Sequence, residues 1–97
     1  MPTYVILMNW TEQGARHSRD TLERAQAFGV TIESRRGKLR EHLYTFGEYD
    51  IVMVAEFPDD ETAAAAMLTL GELGNVRSKT MRAFTNQEIA AILAQLG

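Results

Sequence analysis

The stretch "DIVMVAEFPDD", residues 50–60, decides the fold that the sequence predicts. Its first eight residues are mostly β-branched or otherwise apolar and form a run of strand length, which predicts a β-strand. Pro58 cannot continue a central strand, because it has no backbone N–H to donate. Asp59, Asp60 and Glu61 suit the cap and first turn of a helix, where negative charge favours the helix dipole. The chain is therefore predicted to pass here from a strand into a helix.

Helix-forming residues continue after these acids to about Leu73, and Gly74 is placed to end the helix. The face predicted to pack on the sheet carries Ala63, Ala66, Met67 and Leu70. Residues 75–84, "NVRSKTMRAF", predict another strand. Thr85 and Glu88 then have the spacing of a capping box, which predicts a short closing helix. The apolar face of that helix consists of Ile89, Ile92, Leu93 and Leu96.

Upstream of residue 50, "TYVILMNW", residues 3–10, and "KLREHLYTF", residues 38–46, predict two more strands. Between them, Asp20 is expected to cap a helix that Gly37 ends, with Arg35 and Arg36 in its last turn. Its predicted apolar stripe is Leu22, Ala25, Phe28, Gly29 and Ile32. Residues 29–35 contain a glycine and β-branched residues, so an extended conformation stays open as an alternative for that part.

The order strand, helix, strand, strand, helix, strand, helix is the ferredoxin-like βαββαβ pattern with an extra C-terminal helix. It predicts an α+β fold in which a four-stranded antiparallel sheet carries two helices on one face. The length of 97 residues predicts one domain, residues 1–97, with a modest core.

Apolar residues occur on both faces of this predicted sheet. In the first strand, Val5 and Leu7 oppose Tyr4, Ile6, Met8 and Trp10. In the third, Ile51, Met53, Ala55 and Phe57 oppose Val52 and Val54. In the second, Leu39 and Leu43 are expected to oppose Tyr44 and Phe46. An uncovered apolar face of several hundred Å² is more than a monomer usually exposes. The closing helix is expected to shield a strip at most, so the sequence predicts a homodimer, or a higher homo-oligomer, with facing sheets.

Composition excludes several classes of function. Ten basic and thirteen acidic residues give a net charge of −3, which disfavours binding to nucleic acid. No apolar run approaches the roughly 18 residues of a membrane span, and the N-terminus lacks the pattern of a secretory signal. We therefore expect a cytoplasmic protein with no membrane association. The absence of cysteine excludes disulfides and thiolate metal sites, and no spacing of histidines and acids predicts a metal or a cofactor.

Six residues are candidates for a ligand site: Trp10, His42, Tyr44, Tyr49, Asp50 and Arg82. Tyr49 and Asp50 end the corner Gly47–Asp50, which is a hairpin turn, the rim of a pocket, or both at once. His42 is either a partly buried strand residue or a proton-transfer group. Arg82 is either solvated, paired with an acid such as Glu56 or Asp50, or placed to hold an anionic substrate. Trp10, near Asn9, and Tyr44 are either packing residues or pocket walls.

The segments "MPTYVILMNWTEQG", "TFGEYDIVMVAEFPDDETAAA" and "LGNVRSKTMRAFT" together resemble the GYD domain family, named for a Gly-x-Tyr-Asp corner, over about residues 1–95. The resemblance implies a dimeric α+β barrel. Related barrels include cofactor-free monooxygenases, lactone isomerases and haem enzymes, but this link is an analogy of fold.

Three functions stay open from the sequence. In the first, a homodimer binds a small, partly apolar molecule in a pocket between sheet and helices, with walls from Tyr4, Met8, Trp10, Tyr44 and Met53. In the second, the protein is an enzyme of monooxygenase or isomerase type. In the third, it is a structural or regulatory assembly module.

Overall fold

The computed structural model describes all 97 residues as an α+β fold. Its elements are β1 (Thr3–Trp10), α1 (Glu12–Arg16), a 3₁₀ turn (Ser18–Asp20), α2 (Thr21–Ser34), β2 (Lys38–Tyr44), β3 (Ile51–Glu56), α3 (Asp60–Glu72), β4 (Val76–Ala83) and α4 (Asn86–Ala94). The four strands form one antiparallel sheet in the order β2-β3-β1-β4. This confirms the predicted ferredoxin-like arrangement with a C-terminal helix.

Helix α2 is helical through Ser34, which excludes the extended alternative for its second half. Phe28 and Ile32 are buried as predicted, but Leu22 is 71% exposed because it lies off the face that meets the sheet. Arg35 and Arg36 follow the last turn of α2 instead of lying in it. Arg36, with φ of 64°, takes the left-handed backbone conformation after the end of the helix.

Gly37 is required for a close approach of two chain segments. A Cβ atom there would lie 2.7 Å from the carbonyl oxygen of Glu56 and 2.8 Å from a side-chain atom of Ile32. The glycine therefore lets the chain enter β2 directly against the end of β3.

Helix α1 was missed by the sequence analysis, because its five residues are too few for a periodic signal. Thr11 caps it by accepting a hydrogen bond from the Gly14 N–H at 3.1 Å, and its hydroxyl donates to the Gly74 carbonyl at 2.6 Å. A Cβ atom on Gly14 would lie 1.9 Å from the backbone oxygen of Asn75. Helix α1 is thus held tightly against the turn that leads into β4.

Helix α3 begins as predicted and is bonded to the sheet at its first turn. The Asp59 carboxylate accepts from the Thr62 N–H at 2.8 Å, and Gly74, with φ of 80°, follows the end of the helix. The Tyr4 hydroxyl donates to Asp60 Oδ1 at 2.5 Å. This bond joins the first turn of α3 to β1.

The two faces of the sheet differ in cover. We call the face beneath α2 and α3 the covered face; its strand residues in the core are Tyr4, Ile6, Met8, Ile51, Met53, Ala55 and Val76. We call the other the open face; its apolar residues are Val5, Leu7, Leu43, Val52, Val54 and Met81. Leu43 and Met81 are 53% and 47% exposed. Apolar side chains therefore occur on both faces, as predicted.

The prediction for β2 was wrong at Leu39 and Phe46. A register shift between Leu39 and Glu41 pairs Leu39 with Ala55, so Leu39 packs against the core on the covered face. Phe46 lies beyond the strand and is fully exposed. A bulge changes the parity of every residue that precedes it, and simple alternation does not reveal where one occurs.

Helix α4 begins with the predicted capping box between Thr85 and Glu88. None of its residues is buried, and the helix makes few contacts with any one strand of its own chain. Its attachment to the sheet includes an ion pair of 3.7 Å between Glu88 and Arg82. No helix in the structure has the length and apolar character needed to cross a membrane.

Candidate functional site

A partly open cavity of about 150 Å³ lies between the covered face and helices α2 and α3. Most of its sixteen lining residues are apolar. The strands contribute Met8, Trp10 and Met53, and the helices contribute Phe28 and Leu70. Tyr4 and Tyr44, which the sequence analysis expected in the walls, do not line it.

Trp10 lies at the end of β1 and lines the cavity. Its backbone N–H donates to Asp50 Oδ2 at 2.9 Å. Its indole Nε1 is shielded from solvent and has no hydrogen-bond partner. A buried N–H without an acceptor costs roughly 1 to 3 kcal/mol, and most such groups in native proteins are satisfied. Trp10 therefore lines the cavity and carries an indole N–H that has no acceptor within the protein.

His42 lines the same cavity from β2, with Tyr44 beside it. The two rings meet edge to face at 5.1 Å between centroids. The Tyr44 oxygen accepts a hydrogen bond from the Thr21 hydroxyl at 3.3 Å. Burial lowers the pKa of His42 from its ordinary 6.5, because the low-dielectric surroundings disfavour the charged ring. His42 is therefore largely neutral at pH 7.

The Gly47–Asp50 corner connects β2 to β3 as a hairpin bonded to the end of β1. Within it, the Thr45 N–H donates to the Asp50 carbonyl at 2.9 Å. The Asp50 N–H donates to the Met8 carbonyl, also at 2.9 Å, while the Asp50 carboxylate accepts from Trp10. Neither Tyr49 nor Asp50 lines the cavity. Asp50 thus positions the backbone of the wall, and a direct contact of either residue with a ligand stays a prediction.

Arg82 lies apart from the cavity, at the other end of the sheet. Its guanidinium carbon is 4.5 Å from the centroid of the Phe84 ring, and it pairs with Glu88. The partners suggested by the sequence analysis were wrong, because Glu56 pairs with Arg40 and Asp50 is bonded to Trp10. Residue parity places Arg82 on a face but does not reveal which acid the fold brings near it.

Several polar residues of the lining were missed by the sequence analysis: Thr21, Arg24, Thr31, Thr69 and Asn75. Arg24 precedes Phe28 by four residues, so its place on the inner side of α2 was readable from helical spacing. Its Nη1 donates to the His17 carbonyl at 2.7 Å, and its Nη2 to that of Gly14 at 3.4 Å. The structure brings no three histidine, aspartate or glutamate side chains together as a metal site would require.

Comparison with known families tests the family resemblance that the sequence, including its Gly-Glu-Tyr-Asp corner, suggested. The sequence profile of the GYD domain matches residues 4–93. The chain belongs to the GYD domain family. This GYD domain is 32% identical over 97 residues to a relative from Thermus thermophilus, and the match covers 99% of each chain. That relative is named a glutamine synthetase and cystathionine beta-lyase binding protein.

Solved structures with the fold of this GYD domain include FFRP-DM1, with a TM-score of 0.63 and 20% identity over 87% of this chain and 100% of that one. The hypothetical protein PHS023 from Pyrococcus horikoshii has a TM-score of 0.57 and 17% identity, covering 89% and 93%. The protein TTHA0845 from Thermus thermophilus has a TM-score of 0.55 and 24% identity, covering 88% and 95%. At these identities the likeness establishes the fold alone.

Proposed function

We propose that this GYD domain is a small homodimeric binding protein whose cavity holds a small, partly apolar molecule. The observation that carries the proposal is a partly open cavity with mainly apolar walls, whose lining includes Trp10 with its unpaired indole N–H. Ligand pockets commonly combine such walls with a few polar groups that orient the ligand. A cytoplasmic location and a single domain remain part of the proposal, as predicted from the sequence.

The apolar open face supports the homodimer. Val5, Leu7, Val52 and Val54 are only half-buried in the single chain, although they lie in the two central strands of the sheet. A stable interface buries roughly 800 Å² per partner. Pairing of two open faces about a two-fold axis would cover the same residues on both copies.

The name of the Thermus thermophilus relative supports a binding role over a catalytic one. In this proposal, the homodimer also offers surfaces to other proteins. The enzyme hypothesis gains no support from the arrangement of the candidate residues. His42 is the one titratable sequence candidate that lines the cavity, whereas Tyr49, Asp50 and Arg82 lie outside it.

Light scattering across a range of protein concentrations tests the homodimer. We expect the wild-type chain to have twice the monomer mass, and Val52→Lys, in the centre of the open face, to be monomeric. Val30→Lys is the matched control, because Val30 is exposed on α2 and belongs to neither sheet face. A monomeric wild-type protein would contradict this part of the proposal.

A thermal-shift screen with small apolar molecules tests the cavity. We expect stabilisation of the wild-type protein, and loss of that response in Ala25→Leu, whose larger side chain fills space beside α2. Ala64→Leu is the control, because Ala64 is exposed on α3 and outside the cavity. Equal stabilisation of both variants would place binding outside the cavity. No stabilisation of the wild type or of either variant would favour an assembly role without a ligand.

A further inference from the structure

The polar groups of the cavity are unbalanced in charge. Its lining contains Arg24 and no aspartate or glutamate. The ion pairs of the structure join Arg16 to Glu12, Arg40 to Glu56 and Arg82 to Glu88. Arg24 therefore has no carboxylate partner, although its side chain is only partly exposed. A partly desolvated cation gains most from a nearby anion, because the interaction is screened less than it is in water.

Two backbone carbonyls hold the Arg24 guanidinium in place, those of His17 and Gly14. They accept from Nη1 and Nη2 but carry no net charge, so the positive charge of Arg24 stays uncompensated. A guanidinium has five N–H donors, which leaves several for another acceptor. The group is thus positioned before any ligand arrives, and less conformational freedom is lost on binding.

Trp10, another residue of the cavity lining, carries a second polar group that lacks a partner. The indole of Trp10 only donates hydrogen bonds, and its Nε1 has no acceptor within the protein. His42, kept largely neutral by burial, adds no second positive charge. The lining therefore has one uncompensated positive charge, at Arg24, and one unpaired N–H donor, at Trp10. A single anionic group with several acceptor lone pairs would match both.

The size of the cavity limits the rest of the molecule. An apolar cavity of about 150 Å³ is large enough to hold a benzene ring. The apolar walls, which include Met8, Phe28, Met53 and Leu70, match a compact hydrocarbon body. A sugar or a nucleotide would leave most of its polar groups unpaired against these walls.

We propose that the cavity is a binding site for a small monocarboxylate with a compact apolar body, whose carboxylate interacts with Arg24 and accepts a hydrogen bond from Trp10 Nε1. This inference rests on the proposed ligand-binding function and specifies its ligand class. An aromatic or short branched aliphatic acid has the required shape and charge.

The test uses the full chain and three probes with one ring in common: benzoate, benzyl alcohol and benzylammonium. Trp10 is the only tryptophan, so a ¹⁵N–¹H spectrum contains a single indole resonance that reports the cavity directly. We expect benzoate to shift this resonance downfield. We also expect it to bind at least tenfold more tightly than benzyl alcohol, with benzylammonium the weakest.

Two arginine variants of equal charge change separate the site from a general charge effect. Arg24→Gln is expected to lose the tenfold preference for benzoate while it still binds benzyl alcohol. Arg19→Gln, in the exposed 3₁₀ turn, is expected to keep the preference. Retention in Arg19→Gln with loss in Arg24→Gln supports the proposal.

The failures of the two proposals are distinguishable. Equal binding of benzoate and benzyl alcohol, unchanged by Arg24→Gln, would overturn the carboxylate assignment and leave cavity binding intact. An indole resonance that no probe shifts at millimolar concentration, together with no thermal response in the screen, would overturn both. An equal loss of preference in both arginine variants would show a general charge effect and also overturn the assignment.

Discussion

The two faces of the sheet are built from alternate residues of the same strands, yet only one is covered by its own chain. On the covered face, Ile6 and Met53 are fully buried beneath α2 and α3. On the open face, Leu43 and Met81 are about half exposed. Apolar character alone therefore does not show whether a face belongs to the fold or to an interface. The loss of stability on mutation distinguishes the two.

The largest expected effect is on the covered face. Ile6→Ala is expected to lower the free energy of unfolding by about 2 to 5 kcal/mol, because it leaves a cavity among buried neighbours. Val5→Ala, the adjacent residue on the open face, is expected to cost at most about 1 kcal/mol in the dissociated chain, since Val5 is only half-buried there. Urea denaturation at low protein concentration measures both. Equal losses of unfolding free energy in Ile6→Ala and Val5→Ala would show that the two faces do not differ in this way.

Tyr4 tests the hydrogen bond that ties the covered face to α3. Tyr4→Phe is expected to cost about 1 to 2 kcal/mol, because it removes the bond to Asp60. Burial, with help from that bond, raises the pKa of Tyr4 to about 12. Protonation of Tyr4 thus contributes stability that is complete below pH 10, the ordinary pKa, and is lost as the pH rises towards 12.

The wild-type protein should accordingly lose stability between pH 10 and 12, and Tyr4→Phe should lose less. Circular dichroism during urea titrations at several alkaline pH values measures this difference. Tyr49→Phe serves as the control, because the Tyr49 hydroxyl makes no hydrogen bond like the one between Tyr4 and Asp60. Parallel pH profiles for wild type and Tyr4→Phe would show that Tyr4 is not the titrating group.

His42 gives a smaller effect of opposite pH direction. Because burial lowers its pKa, the unfolded chain binds a proton at His42 more tightly than the folded chain does. Stability should therefore fall as the pH drops below about 6.5. His42→Gln is expected to reduce this acid slope, measured by thermal unfolding from pH 7.5 to 5. If the acid slope is unchanged in His42→Gln, groups other than His42 cause it.

The smallest effect on global stability is expected at α4, which has no buried residue. Thr85→Ala removes one half of the capping box and should weaken the helix locally by about 0.5 to 2 kcal/mol. Hydrogen exchange of the α4 amides is expected to accelerate, while global unfolding changes by less than about 0.5 kcal/mol. A larger global change that grows with protein concentration would place α4 against a partner chain.

The elements that the sequence predicted correctly have strong local signals. Residues 50–60 carry a strand, a proline and a helix cap in succession, and Thr85 with Glu88 is a complete capping box. Other features depend on distant parts of the chain. Helix α1 is held by the turn before β4, and the bulge near Leu39 depends on pairing with β3.

The candidate site was predicted in part for the same reason. Trp10 and His42 alternate with outward residues on predicted strands, and the structure brings both to the cavity. Arg24 was missed because a charged residue on a helix usually faces solvent, and only the tertiary fold places carbonyls within its reach. The role of Asp50 depends on a contact with Trp10, forty residues away in the sequence.

That contact gives the Gly-Glu-Tyr-Asp corner an indirect influence on the cavity. Asp50 uses its amide to bind Met8 and its carboxylate to bind Trp10, so one residue anchors two wall positions at once. The corner therefore fixes the positions of two wall residues, although neither Tyr49 nor Asp50 lines the cavity itself. The corner and the inner side of α2 are separate parts of the chain. Substitutions on the inner side of α2 can therefore reshape the cavity while residues 47–50 stay unchanged.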